Sequence, residues 1–367
     1  MRGVIALLGS GETAPGMTRV HRELLARQSE SRAILLDTTF GFQENVPQMT
    51  AKLVDYFATS LRTSIAPVSF TSFENATEIE RTIVRQRVRE ANYVFAGPGS
   101  PSYALAQWQP LGIATEFERV LENGGTLCFS SAAVVTLGRF AVPVYEIYKV
   151  GTAPFWLDGL NLLGVAGLNC VAIPHFDNNE GANYDTRYCY LGERRLRVLE
   201  EQLDDDVATL GIDEHTALVI DLESDTLSVS GRSHAHWRRH GHSRILTNGE
   251  VVPLDELRSS NTVARLPTTR ALLPTPAGEP EKLAQLITCG TDVEESLATL
   301  VRLAGTSSVQ ESAPSSLIAE ILSVRQAAKD KGLYDLADQL RDALLVTGIE
   351  VHDTPNGPTW SRRGDQS

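Results

Sequence analysis

The run Gly125-Thr126-Leu127-Cys128-Phe129-Ser130-Ser131-Ala132-Ala133-Val134-Val135 carries an apolar strand into two serines and two alanines, then into a second apolar stretch of helical character. This is the layout of a nucleophile elbow, in which a tight strand-to-helix turn lifts one hydroxyl above a sheet. Small residues belong around such a hydroxyl, because its backbone is strained and neighbouring chain crowds in. Ala132 and Ala133 meet that demand, whereas Phe129 is bulky. A serine nucleophile also needs a base within reach, a carboxylate to orient the base, and amides to hold an oxyanion. Each is present at the end of an apolar run. Ala172-Ile173-Pro174-His175 ends on an imidazole, and Gly211-Ile212-Asp213-Glu214 sets a carboxylate pair before the apolar stretch 216–220. Residues 93–96 empty into Gly97-Pro98-Gly99-Ser100, a turn suited to exposing backbone N–H groups.

These groups can meet only if the runs that carry them lie side by side. Residues 4–8, 33–36, 64–68 and 93–96 read as strands, and 18–28, 46–61 and 76–91 have helical spacing. Strict alternation of the two predicts a mostly parallel sheet with helices on both faces. In such sheets ligands bind beyond the carboxyl ends of the strands, which is where the serines, the histidine, the carboxylates and the glycine turn fall. The loop 38–45, with Gln43, follows the second strand onto the same edge and is expected to contact substrate or to cap the next helix.

Taken together, the motifs resemble the serine peptidases typified by cyanophycinase and α-aspartyl dipeptidase, over roughly residues 1–250, about one domain. The family elbow Gly-Thr-Ser-Ala-Gly-Ala falls on 129–134, its His-Phe motif on His175-Phe176, and its Gly-Ile-Asp-Glu-x-Thr-Ala motif on 211–217 without change. The resemblance implies a flavodoxin-like, class I glutamine amidotransferase-like α/β fold. It also implies Ser131 as nucleophile, His175 as base, Glu214 as the orienting acid, and Gly99 and Ala132 as oxyanion-hole amides. Phe129 and Ala133 stand where the family pattern has glycine, and Pro98 removes one amide from the glycine turn.

Other assignments stay open. Ser130 competes for the role of raised hydroxyl, and Cys128 reads as a thiol nucleophile or, more simply, as a buried structural cysteine. Glu146 is a second candidate acid for the imidazole. Gln43, Ser100 and Arg187 are candidate substrate contacts, Arg187 because a guanidinium fork matches a carboxylate. Arg194 and Arg197 are placed on a solvated helix face towards Glu200, Glu201, Asp204 and Asp205. In the histidine-rich run 233–242, alternation puts His234, His236, His240 and His242 on one strand face. A hairpin with exposed histidines is expected there rather than a metal site.

Past residue 256 the character changes. The reading is an α/β domain over 1–255, a proline-containing linker over 256–281 and a helical module over 282–367. Residues 317–331 and 334–347 have helical spacing, with Gly332 between them, and a short turn carrying Trp360 is expected to finish the module. The stretch 315–363 resembles the C-terminal end of cysteinyl-tRNA synthetases, a tRNA-contacting region, while the catalytic motifs of those enzymes are absent. Its bases are outnumbered by acids, so packing or homodimerisation is the plainer expectation.

With 367 residues, 42% hydrophobic and 22% charged, the composition is globular, and the net charge of −13 argues against broad nucleic-acid or membrane binding. Four scattered cysteines give neither metal spacing nor a disulfide framework, which favours a reducing, cytoplasmic setting. The apolar stretch near the N-terminus is too short for a signal peptide and reads as a first buried strand. The expected activity is hydrolysis of a small peptide or amide by a Ser-His-Glu triad, without cofactor or metal. The alternatives are an inactive relative that binds a small ligand, and a tRNA-associated accessory protein.

Overall fold

A computed structural model describes residues 2–259 apart from 182, 240 and 241, and beyond them 322, 325, 326, 329, 341, 344, 349–354 and 357–362. The chain divides into two compact units, Met1–Arg265 and Leu266–Ser367.

Unit 1 is built on an α/β, flavodoxin-like sheet. Strands β1 (Val4–Leu8), β2 (Ala33–Leu36), β3 (Ala66–Val68), β4 (Tyr93–Ala96) and β5 (Thr126–Ser130) run parallel in the order β1-β5-β4-β2-β3. Two short strands, β6 (Phe140–Ala141) and β7 (Leu157–Asp158), pair apart from it, and β8 (Cys170–Ile173) and β9 (Ala208–Ile212) form a second parallel pair. Strands β10 (Thr216–Asp221), β11 (Thr226–Gly231) and β14 (Val251–Pro253) extend the main sheet antiparallel beyond β1 to eight strands. Strands β12 (Ala235–Arg239) and β13 (His242–Leu246) complete a four-stranded sheet with β9 and β8.

The helices are α1 (Pro15–Leu25), α2 (Val46–Tyr56), α3 (Glu78–Glu90), α4 (Pro101–Leu111), α5 (Ile113–Glu122), α6 (Ala132–Val135), α7 (Gly192–Glu200) and α8 (Leu254–Ser259). Successive side chains of a strand point to opposite faces, and the core divides accordingly. Val4, Ala6 and Leu8 pack with Met17, Val20 and Leu24 of α1 and Leu53 of α2. Ile5 and Leu7 pack with Val84 and Val88 of α3, Trp108 of α4 and Phe117 of α5. Local signals set the helix ends: Thr77 and Glu80 form a capping box on α3, Ser100 caps α4 ahead of Pro101, and Gly112 ends α4 with φ 69°.

The alternation expected from sequence is thus present, with small shifts of boundary. The helix expected over 46–61 is α2 followed by a π-turn, Phe57–Leu61. Residues 256–259, read as the start of a linker, lie in α8, whose Leu254 and Leu257 are buried in the unit 1 core. The rest of that linker lies outside the described residues.

In unit 2, the described residues of the two expected helices are 322, 325, 326, 329, 341 and 344, and they are helical. The short turn expected at Trp360 is instead an antiparallel hairpin of β15 (Ile349–Thr354) and β16 (Gly357–Arg362), with Val351 opposite Trp360. Thr354 pairs with Gly357, so two residues, Pro355-Asn356, separate the strands. Pro, Asn and Gly in that order were the available signal. Asp353 accepts hydrogen bonds from Arg325 at 2.6 and 2.9 Å and from Lys329 at 2.7 Å. No helix among the described residues is long and apolar enough to cross a membrane.

Candidate active site

At the carboxyl end of the central strand β5, the chain turns into α6 through Ser131, whose backbone sits at φ 51° and ψ −120°. A residue with a Cβ resists that conformation, so the surroundings must hold it. The Ser131 N–H donates to the Leu8 carbonyl at 3.0 Å and the Ser131 carbonyl accepts from Val134. The hydroxyl lies 2.9 Å from Nε2 of His175. His175 follows β8 and is itself left-handed, at φ 49°. Its N–H reaches the Gly9 carbonyl, and its own carbonyl accepts from Asn178 and Cys189.

Nδ1 of His175 is 2.7 Å from Oε1 of Glu214. A carboxylate only accepts, so Nδ1 carries the proton and Nε2 is left to accept from the serine hydroxyl. The bond from His175 holds the Glu214 carboxyl below the usual glutamate range; burial works against this, and a bond from Asn178 Nδ2 at 3.1 Å assists it. The Glu214 N–H donates to Asp177 Oδ1 at 2.7 Å.

The adjacent acid faces elsewhere. Asp213 is buried and accepts from Ser233 Oγ, the His234 N–H and His236 Nε2 at 2.7, 3.0 and 3.0 Å. Burial pushes its carboxyl up, but those bonds outweigh it and hold the group low. The pair Asp213-Glu214 is therefore split, one carboxylate for each of two imidazoles. His236 also tilts over Phe176 with ring centroids 4.8 Å apart, so it is not the exposed hairpin histidine expected from sequence. No group of three potential metal ligands occurs among the described residues.

Gly99 and Ala132 line a cleft of about 60 Å³ together with Ser131, His175, Cys189 and Tyr190. Gly99 has φ 149°, and a Cβ there would meet the Thr39 carbonyl oxygen at 1.9 Å, so only glycine fits. Beside this cleft, sharing Tyr145, opens a larger one of about 700 Å³ whose lining includes Gln43, Ser100 and Glu146. Two of the three expected substrate contacts, Gln43 and Ser100, thus line the cleft that shares Tyr145 with the one holding Ser131 and His175. Arg187 lines neither cleft; its fork is held on Asp185 by two bonds of 3.0 Å.

The competing candidates lie away from His175 or bond other groups. Ser130 is buried and its Oγ donates to Glu12 at 3.1 Å, away from His175. Cys128 is buried beside His21 and Tyr93, and burial pushes its thiol up to about 12. Glu146 accepts from Ser102 Oγ at 2.6 Å and does not serve the imidazole. Phe129 turns into the core between Trp108 and Phe117, with ring centroids 6.0 and 5.3 Å away, leaving the elbow open.

Sequence reasoning missed Asn178, Tyr190 and the wall formed by Ser102, Tyr103 and Tyr145. Asn178 lay within the stretch between His175 and Arg187. Nothing in the local sequence marks Tyr190; it reaches the cleft because Tyr188, Cys189 and Tyr190 are left-handed in succession, at φ 59°, 55° and 65°.

No family model matches the chain. Among solved structures, a peptidase from an acI-B1 Actinobacterium matches with a TM-score of 0.56 and 21% identity, over 69% of this chain and 97% of that one. Cysteine--tRNA ligase from Petrotoga mobilis is 51% identical over 41 residues, 11% of this chain and 9% of the ligase. The ligase from Bifidobacterium longum is 31% identical over 160 residues, 43% of this chain and 27% of the ligase. The chain spans about a tenth of the first ligase and about a quarter of the second. The protein therefore combines the fold of a peptidase with a short stretch similar to cysteine--tRNA ligases.

Proposed function

We propose that the protein is a serine hydrolase that cleaves a small peptide or amide. The observation that supports this is the continuous hydrogen-bonded series from Ser131 Oγ through His175 to Glu214, at 2.9 and 2.7 Å. Ser131 Oγ attacks the amide carbonyl carbon as Nε2 of His175 takes the hydroxyl proton. The carbonyl oxygen, now negative, is held by the N–H groups of Gly99 and Ala132. The C–N bond breaks as His175 returns the proton to the departing nitrogen. Water, deprotonated by the same imidazole, then releases the acyl group from Ser131.

A fluorophosphonate probe tests the reading directly. The full chain should be labelled on one residue, and Ser131→Ala should abolish the label. Unlabelled wild-type protein under conditions where trypsin reacts ends the proposal. It would leave the weaker form, a fold that binds a small ligand without turning it over.

A second reading is favoured by a separate observation, the 51% identity to a tRNA ligase segment over 41 residues. In it, the similar stretch contacts tRNA and unit 1 supplies a separate activity. Two of the cations in that stretch, Arg325 and Lys329, are bonded to Asp353, which places this reading second.

A further inference from the structure

The end of β1 and the loop that follows it, Leu8-Gly9-Ser10-Gly11-Glu12, meet all three turns that carry the proposed catalytic side chains. Ser131, His175 and His215, the residue after Glu214, are non-glycine residues held at positive φ, at 51°, 49° and 54°. Turns of this kind relax unless their surroundings fix them. Each donates its backbone N–H to a successive residue of this segment: Ser131 to the Leu8 carbonyl at 3.0 Å, His175 to the Gly9 carbonyl at 3.3 Å, and His215 to Ser10 Oγ at 3.2 Å. The segment ends at Glu12, whose Oε2 accepts from the Ser130 hydroxyl at 3.1 Å, one residue before Ser131.

The fit is close. A Cβ on Gly9 would meet the Asp213 carbonyl oxygen at 2.0 Å, and one on Gly11, at φ 66°, would meet the His215 ring at 2.3 Å. Glycine at both positions lets the loop lie against the turn between β9 and β10. The far end is anchored as well. The Glu12 carbonyl accepts from Nε2 of His21 at 2.9 Å, so that nitrogen carries the proton, and Nδ1 accepts from the Tyr93 hydroxyl at 2.8 Å. His21 is fully buried, and burial lowers its imidazole to about 4 despite the bond to Glu12. It stays neutral at ordinary pH and pins the Glu12 backbone from below.

We propose that Ser10 and Glu12 are positioning residues of the Ser131–His175–Glu214 set. Ser10 holds the turn that presents Glu214, and Glu12 holds the elbow through Ser130. Catalytic groups perform only when neighbouring bonds keep them within a fraction of an ångström of the working geometry. Leu8 and Gly9 contribute carbonyls that no side-chain substitution removes, so Ser10 and Glu12 are the part open to test. The inference rests on the hydrolase reading, and its test reads geometry as well as reactivity.

Fluorophosphonate labelling rates of the full chain test Glu12. Glu12→Ala should slow labelling about 10- to 100-fold, the cost of displacing a reacting group by roughly an ångström. Glu12→Gln keeps an oxygen that accepts from Ser130 and should restore most of that loss. An unaltered rate in Glu12→Ala overturns the role of Glu12, and equal losses in the two variants assign the effect to charge and overturn it too. Ser130→Ala breaks the same bond from its other end and should match Glu12→Ala, so a misfolded Glu12 variant leaves the test intact. Ser10 is tested without turnover. The low-field proton resonance of His175 Nδ1–H, identified by its loss in His175→Gln, should broaden or move upfield in Ser10→Ala. An unmoved resonance overturns the role of Ser10. Labelled wild-type protein, with neither variant showing its effect, sinks the positioning loop and leaves the hydrolase. Unlabelled wild-type protein whose resonance moves in Ser10→Ala does the reverse.

Discussion

Three side chains from three separate turns hold the proposed chemistry, and each has a measurable share. In the proposed mechanism Glu214 fixes the His175 tautomer by accepting from Nδ1 and offsets the charge the imidazole gains on taking the serine proton. Glu214→Gln keeps the shape but offers an amide that can present N–H to Nδ1. The rate of amide hydrolysis, or of fluorophosphonate labelling, should fall by about 10²- to 10⁴-fold while the fold is kept. A loss under threefold would mean that the carboxylate is structural. Phe129 lies at an elbow position where the family pattern has glycine, yet its ring is fully buried against Trp108 and Phe117. Phe129→Ala should therefore cost about 3–5 kcal/mol in denaturant unfolding and leave Ser131 reactive at low temperature. The elbow tolerates the ring because β5 directs it to the face of the sheet covered by α4 and α5, away from the Ser131 hydroxyl.

At the scale of elements, α7 is fastened to β12 by charge. Arg238, with 6% of its side chain exposed, donates to Glu200 at 2.7 and 3.1 Å and to Glu193 at 2.8 Å. Removing one member of such a buried set leaves its partner uncompensated, so Glu200→Gln should lower stability by about 3–5 kcal/mol. Burial pushes the Glu193 carboxyl up, but its bonds from Arg238 and Arg197 prevail and hold it down at about 2, against an ordinary value of 4.5. A depressed carboxyl stabilises the fold above its unfolded value and loses that contribution as pH falls through its folded value. Wild type should therefore exceed Glu193→Gln in stability at pH 6, and the gap should close between pH 4.5 and 2 in urea titrations.

This cluster also marks where sequence reading ran out. The elements, and the meeting of Ser131, His175 and Glu214, were legible because each of these groups lies next to its own apolar run, and period-2 and helical spacings are local. Arg197 was placed towards Glu200 on a solvated face, but it bonds Glu193, while Glu200 is buried under Arg238. The bonds from Arg238 join residues 38 and 45 positions apart, and no local pattern encodes them, whereas Arg197–Glu193 is an i,i+4 helix pair that spacing could have shown. Arg187 failed for the opposite reason: Asp185, two residues away, captures it in the turn. His236 looked like one of an exposed row until β12 brought it against Asp213.

For the whole molecule, the formal charge of −13 and the tRNA-ligase-like stretch point in opposite directions. Phosphate contacts release counterions, so true tRNA binding weakens linearly as log salt rises. Filter binding of tRNA by the full chain should show no salt-sensitive retention if the hydrolase reading stands alone. A steep salt slope would establish the second reading beside it. Every residue of the proposed chemistry falls within unit 1, whose core spans both faces of the eight-stranded sheet.

The backbone of Ser131, at φ 51° and ψ −120°, carries a consequence for anyone who engineers this protein. Glycine adopts that conformation freely while any side chain resists it. Glycine there would make a sturdier but lifeless molecule, so a screen that rewards heat tolerance alone will drift towards discarding the hydroxyl. Robustness and reactivity compete at one peptide unit, and alanine, which keeps the Cβ, is the fair inert reference.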